Sequence, residues 1–310
     1  MAQSGLGEET MNSDVGMIGL GIMGSAMAGN LLKAGYSVAG YDPDKAAMAG
    51  HREAGGLAAG SAGEVAESAP VVLLSLPGSA ALAAVTAEIC ASGAAGRILV
   101  ELSTLPIEDK TAARDALQEK AVVLLDCPVS GTGAQAAKGD LVVLASGDEQ
   151  AVERCRPVFD AIARQTRYLG AFGNGMKMKF VANLLVAIHN TAAAEALLLA
   201  QMAGLDLEET YAVIGAGAGS SRMFELRGPM MVSGRYTPPT MKNDVWRKDL
   251  DLIAGFAASL GCPTPLFSKC DRLYAGTLTP DRAQEDTAAI KRVLDDMAAE
   301  RADEESGPAR

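Results

Sequence analysis

VGMIGLGIMG, residues 15–24, is the stretch on which the fold turns. Val15–Gly19 is a short apolar run, and Gly19, Gly21 and Gly24 complete the pattern GxGxxG. A helical pattern then continues to Lys33, and Gly35 ends it as a C′ glycine does. Placed between a strand and a helix that open a βαβ unit, these glycines are a dinucleotide-binding fingerprint. Gly19 permits the tight turn, Gly21 lets backbone approach a pyrophosphate, and Gly24 lets the helix pack closely on the strand. The helix start, Ile22 and Met23, offers N–H groups and partial positive charge to phosphates.

Outward from this turn, short apolar runs recur at 36–41, 71–76, 98–102, 122–126 and 141–145. Ala-rich amphipathic segments separate them, near 44–54, 61–69, 79–90, 106–119 and 149–163. Such alternation predicts a parallel sheet with right-handed crossovers and helices on both faces. After about residue 174 the strand signal ends. One long helical pattern runs from 175 to 203, about 40 Å at 1.5 Å per residue. Further helices are predicted near 207–216, 221–227, 241–260, 264–279 and 282–299. The expected organisation is α/β. A disordered extension (1–13) precedes an NAD-binding Rossmann-type doubly wound domain (14–174). An all-helical domain (175–300, with the interdomain helix 175–203) and a frayed tail (301–310) follow.

Asp42 ends the second strand, roughly 20 residues after the first glycine, where a carboxylate hydrogen-bonds the ribose hydroxyls and repels a 2′-phosphate. Tyr41-Asp42-Pro43-Asp44 holds no Arg, although Lys45 follows. The reading is therefore NAD, with NADP as the alternative. Leu76 and Pro77, and Thr104, follow two further strands at their carboxyl ends, where ligands of open α/β sheets bind.

Two segments carry polar groups suited to chemistry. Asp126-Cys127-Pro128-Val129-Ser130-Gly131-Thr132-Gly133 offers a hydroxyl and adjacent N–H groups at a strand end, a cluster that suits a carboxylate. No GxSxG elbow surrounds Ser130. Gly173-Asn174-Gly175-Met176-Lys177-Met178-Lys179-Phe180-Val181-Ala182-Asn183 opens the long helix. Lys179 and Asn183 stand at i, i+4 on one face, with Asn190 about 20° away and Lys177 opposite. A Lys–Asn pair on an apolar helix is costly without a task, and a desolvated lysine can exchange protons with a hydroxyl.

Four motifs in order now resemble one family. Residues 15–35 resemble the opening of the β-hydroxyacid dehydrogenases (3-hydroxyisobutyrate dehydrogenase, tartronate semialdehyde reductase and glyoxylate reductase-like enzymes). DCPVSG at 126–131 is similar to their substrate motif, GNGMKMKFVAN at 173–183 to their catalytic motif, and Arg247-Lys248-Asp249-Leu250 to their C-terminal motif. The resemblance implies Lys179 as general acid/base. It also implies Ser130 and Gly131 on the substrate carboxylate, Asn183 on its hydroxyl, and Lys248 near the nicotinamide with Asp249 beside it. Thr132 departs from the usual second glycine, and Gln135 from a run of small residues, so both are candidate pocket residues. Trp246 is read as pocket wall or core aromatic. The implied activity is hydride transfer between NAD(H) and a small 3-hydroxy acid or its semialdehyde. Two alternatives are a reductase of aldehydes or imines on the same scaffold and a non-catalytic dinucleotide-binding module. A decarboxylating 6-phosphogluconate dehydrogenase is disfavoured by the short helical region.

Composition bounds the rest. The 310 residues carry a net charge of −11, which excludes a general nucleic-acid binder and docking on anionic lipid. Over half of that charge sits in residues 1–13 and 281–310, away from the candidate site. Cys90, Cys127, Cys155, Cys262 and Cys270 form no CxxC, and with two histidines no metal site is expected. Reduced thiols and the lack of a basic, apolar leader point to the cytoplasm. The long apolar stretch at 180–203 is broken by Asn183, His189, Asn190, Glu195 and Gln201, so no membrane span is read there. A helix apolar nearly all round implies a homodimer or homotetramer through the C-terminal helices.

Overall fold

The computed structural model describes residues 13–306, with side chains through Asp303. Of the expected N-terminal extension, residues 1–12 lie outside the described residues. Ser13 is buried, and its N–H donates to Ser68 O at 3.0 Å. The chain divides into two compact units, the first ending at Lys179 and the second beginning at Phe180.

The first unit begins β1 (Val15–Ile18), α1 (Ile22–Lys33), β2 (Val38–Tyr41), α2 (Lys45–Glu53), β3 (Leu57–Ala58) and α3 (Ala62–Ser68). It continues β4 (Val71–Leu74), α4 (Ser79–Cys90), β5 (Ile98–Glu101), α5 (Ile107–Gln118) and β6 (Val123–Asp126). The sheet order is β3-β2-β1-β4-β5-β6, and every pairing is parallel. The chain winds outward from β1 to one edge and returns through β4 to the other, so the switch point lies between β1 and β4. Because side chains alternate along a strand, Val71 and Leu73 enter one core layer while Val72 and Leu74 enter the other. The first layer packs under α1, and the second under α3, α4 and α5. This is the doubly wound arrangement, with both faces covered.

Beyond β6 the structure departs from one continuous parallel set. β7 (Val129–Ser130), α6 (Gly133–Ala136), β8 (Leu141–Ala145), α7 (Glu149–Ile162) and β9 (Ala163–Tyr168) follow. The run at 141–145 is the centre of a second, three-stranded sheet, antiparallel to β7 and parallel to β9. β9 reads ARQTRY, half polar because one face is wet, so apolar periodicity does not reveal it.

α8 (Asn174–Met202) is the long helix. By length and composition it could cross a bilayer. Its buried amides have protein partners instead: Asn183 bonds Asp249, and Asn190 bonds Tyr274 and Thr287. These bonds mark α8 as a core element of the helical unit.

The second unit adds α9 (Leu207–Ala216), α10 (Arg222–Ser233), α11 (Asn243–Ser259), α12 (Pro265–Ala275) and α13 (Ile290–Ser306). The helix expected at 282–299 starts later, at Ile290. Asp286, wholly buried, accepts from Arg227 Nε, the Thr240 N–H and hydroxyl, and the Met241 and Ala288 N–H groups. Those bonds hold residues around 286 as a loop and cap. The same helix persists to Ser306, so residues 301–306 of the expected frayed tail are helical; residues 307–310 lie outside the described residues.

Candidate active site

The glycine turn shows three reasons for three glycines. Gly19 has φ +88°, and a Cβ there would overlap Ser75 O across the switch point. A Cβ on Gly24 would overlap Gly19 O. Gly21 has an ordinary φ of −66°, and a Cβ there would meet nothing within 4 Å. The fold therefore does not require glycine at 21. A ligand that must touch the backbone would. Gly21 is also the N-cap of α1 with no side-chain cap, so the first N–H groups of the helix are left for an external acceptor. Ile22, 77% exposed, stands beside them. These features fit a dinucleotide pyrophosphate.

Asp42 follows β2. Its carboxylate accepts the Leu20 N–H at 2.7 Å and the Asp44 N–H at 2.8 Å. The N-cap of α2 is Asp44, so Asp42 is not explained as a helix cap. Tyr41 is half-buried, Pro77 exposed and Thr104 half-buried. Leu76 is brought to the loop after β5 by its N–H, which donates to Ser103 Oγ at 2.7 Å.

The substrate-motif turn lies against this edge. Gly131 has φ +141°, and a Cβ there would sit 2.6 Å from Leu141 Cδ2. Thr132 is the N-cap of α6, and Gly133 faces Ile22, whose Cγ2 would be 2.7 Å from a Cβ at that position. Ser130 and Gly131 are thereby set near the helix N-terminus that would take the phosphates. Gln135 braces the turn: its Oε1 accepts the Thr132 N–H and its Nε2 donates to Asp140.

On α8, Lys179 is 9% exposed and Asn183 6%, one turn apart. Asn183 Nδ2 donates to Asp249 Oδ2 at 3.0 Å, which fixes the amide. Lys177 is exposed and reaches Asn174 Oδ1, as its place on the opposite face requires. Asn190 is absorbed by Tyr274 and Thr287 and belongs to the helical core. Trp246 is buried edge-on against Tyr274 at 6.3 Å, so it is a core aromatic. The motif at 247–249 splits three ways. Arg247 pairs with Asp251 and Asp271, Lys248 is 40% exposed, and Asp249 turns inward to Asn183.

Sequence reasoning missed Glu101, Lys110, Ser103 and Ser146, all at the carboxyl edge of the sheets. One signal was present. Lys110, Ala113 and Leu117 share helical spacing, which puts a charge on the buried stripe of α5. Among the described residues no group of three His, Cys, Asp or Glu could hold a metal, and the five cysteines are unpaired. Burial pushes the Cys155 thiol up to about 12 and holds that of Cys127 well above its ordinary value, which leaves both as core residues.

Residues 14–170 match the model of the NAD binding domain of 6-phosphogluconate dehydrogenase. Residues 173–294 match that of the NAD-binding of NADP-dependent 3-hydroxyisobutyrate dehydrogenase. An L-threonate dehydrogenase of Haemophilus influenzae is 35% identical over 92% of this chain and 96% of its own. The crystal structure of a 3-hydroxyisobutyrate dehydrogenase from Salmonella typhimurium is 34% identical, with a TM-score of 0.81 over 90% of this chain and 99% of that one. The Mycobacterium tuberculosis 3-hydroxyisobutyrate dehydrogenase with L-serine is 28% identical, with a TM-score of 0.84 over 92% and 99%.

Proposed function

Since this chain belongs to the β-hydroxyacid dehydrogenase family of NAD(P)-dependent oxidoreductases, which move hydride to or from small hydroxy acids, we propose that Lys179 is its general acid/base. The bound nicotinamide supplies the hydride acceptor. Ser130 and the Gly131 N–H hold the substrate carboxylate. Asn183, its amide oriented by Asp249, donates its second Nδ2 hydrogen to the substrate hydroxyl oxygen. Neutral Lys179 takes the hydroxyl proton as the carbinol is oxidised, and its ammonium returns the proton in the reverse direction. The single observation that carries the reading is the buried Lys179–Asn183 pair with Asn183 locked by Asp249.

The substrate class is a short hydroxy acid, oxidised with NAD in preference to NADP because Asp42 stands where a 2′-phosphate would be repelled. L-Threonate and 3-hydroxyisobutyrate lead a panel that includes L-serine, glycerate and 4-hydroxybutyrate, run with both cofactors. Lys179→Ala should lower kcat about 10²–10⁴-fold, the usual worth of a general acid/base. NADH affinity should survive, and near-normal turnover would refute the role.

The protein is read as cytoplasmic and as a homodimer or homotetramer. Met178, Val181, Leu185, Leu199 and Met202 are exposed at near-heptad spacing along α8, an apolar stripe suited to a second copy. A stable monomer in sedimentation would contradict that assembly.

A further inference from the structure

Two carboxylates and one ammonium are wholly buried at the carboxyl ends of β5 and β6. Lys110 Nζ, on α5, lies 2.5 Å from Glu101 Oε2 and 2.8 Å from Asp126 Oδ1, and none of the three side chains is exposed. Burial alone would discharge Lys110, but the two carboxylates outweigh it and raise its pKa. An apolar trio of similar volume usually folds as well as a buried ion cluster, so stability does not account for it. What the charges add is direction.

The cluster has one negative charge in surplus, and the hydrogen bonds show where it goes. Asp126 Oδ2 accepts the Met176 N–H at 2.9 Å, in the first turn of α8, where the helix dipole is positive. The Ser146 hydroxyl stands 3.0 Å from the same oxygen and accepts the Gly175 N–H at 2.9 Å. A Cβ on Gly175 would overlap Leu144 O and come within 2.7 Å of Asp126 O, so the start of α8 is seated directly on this edge. On the other side, Glu101 Oε1 accepts the Ser103 N–H at 3.0 Å, and Ser103 Oγ accepts the Leu76 N–H at 2.7 Å. One buried cation is therefore bonded toward the two turns that would flank the dinucleotide and toward the turn of helix that precedes Lys179.

We propose that Lys110, Glu101, Asp126 and Ser146 form a positioning network that fixes the first turn of α8, and with it Lys179, relative to the turns at Leu76 and Ser103. The proposal rests on Lys179 as the acid/base. The network touches neither substrate nor hydride. It sets where the amine stands, a matter in which a displacement of about 1 Å costs about 10²-fold in rate.

Ser146→Ala removes the link to the Gly175 N–H and leaves the charges paired. In the NADH-saturated protein, amide exchange at Gly175 and Met176 should quicken about tenfold, with Ala187 and Leu197 unchanged. Under turnover kcat should fall about tenfold while KM for the hydroxy acid stays within about twofold. Lys110→Met, which leaves two carboxylates facing, should cost kcat more, and adding Glu101→Gln should restore part of it. If Lys110→Met does not fold, Ser146→Ala decides. Wild-type exchange at 175–176 in folded Ser146→Ala overturns the proposal. So does quickened exchange with unchanged kcat, since the turn would then be braced without effect on the amine. Failure of the acid/base reading shows separately, as turnover retained by Lys179→Ala.

Discussion

The three glycines of the turn allow one substitution to be compared at positions of opposite kind. Gly24→Ala puts a methyl into Gly19 O and within 2.9 Å of Met17 Cε, so α1 must shift from β1. Overpacking of this kind costs about 1–3 kcal/mol, or roughly 2–12 °C in Tm for a unit of this size. Gly21→Ala meets nothing within 4 Å and sits at φ −66°, ψ −166°, open to any residue. Restricting the unfolded chain contributes about 0.4–1 kcal/mol in its favour, and alanine's poorer N-capping takes back a similar amount. Net stability should change by less than about 1 kcal/mol. Its methyl stands where a phosphate oxygen must come to about 2.9 Å of the α1 N–H groups. Losing one or two charge-assisted bonds there weakens NADH by about 10–100-fold. Thermal melts of both variants, with NADH titrated by its fluorescence, read the two effects apart. Gly21→Ala binding NADH as the wild type does, or melting as low as Gly24→Ala, would refute the assignment of Gly21 to the ligand.

Other outcomes follow from single groups. Asp42→Ala should narrow the preference for NAD over NADP in kcat/KM about tenfold or more, because the carboxylate that opposes a 2′-phosphate is gone; an unchanged ratio means the ribose is read elsewhere. Burial pushes the Asp286 carboxyl up, but Arg227, Thr240 and Ala288 outweigh it and hold it below the ordinary range. A depressed carboxyl contributes stability that is full above its unfolded pKa of about 3.9 and is lost as pH falls toward the folded value. Asp286→Asn, which leaves Arg227 buried and unpaired, should cost about 3 kcal/mol at pH 7 and about 1 kcal/mol less near pH 3. Urea melts giving the same difference at both pH values would show that the carboxylate charge is not what holds residues 227, 240 and 288 together.

What could be read from the sequence, and what could not, divides along a physical line. β1 and β4 are buried on both faces, so their runs are unbroken apolar and stand out. The turn at 19–24 demands glycine for reasons that are local to it. Lys179 and Asn183 are legible because polar groups interrupt an apolar helix at one-turn spacing. β3 and β7 are two residues long and owe their pairing to neighbours far along the chain, and β9 is half wet, so none has a pattern of its own. The brace that Gln135 supplies has no local signal because its bond to the Thr132 N–H exists only once the turn has closed. The buried ion cluster was hidden for a stronger reason. Solvation dominates the free energy of an isolated charge, so Glu101 and Lys110, read one at a time, belong in water. Their burial becomes reasonable only when Asp126 supplies the second carboxylate and α8 supplies the N–H that takes the surplus charge. No window of sequence contains all three elements, and the spacing of Lys110 with Ala113 and Leu117 was the one local sign that its solvation had been replaced.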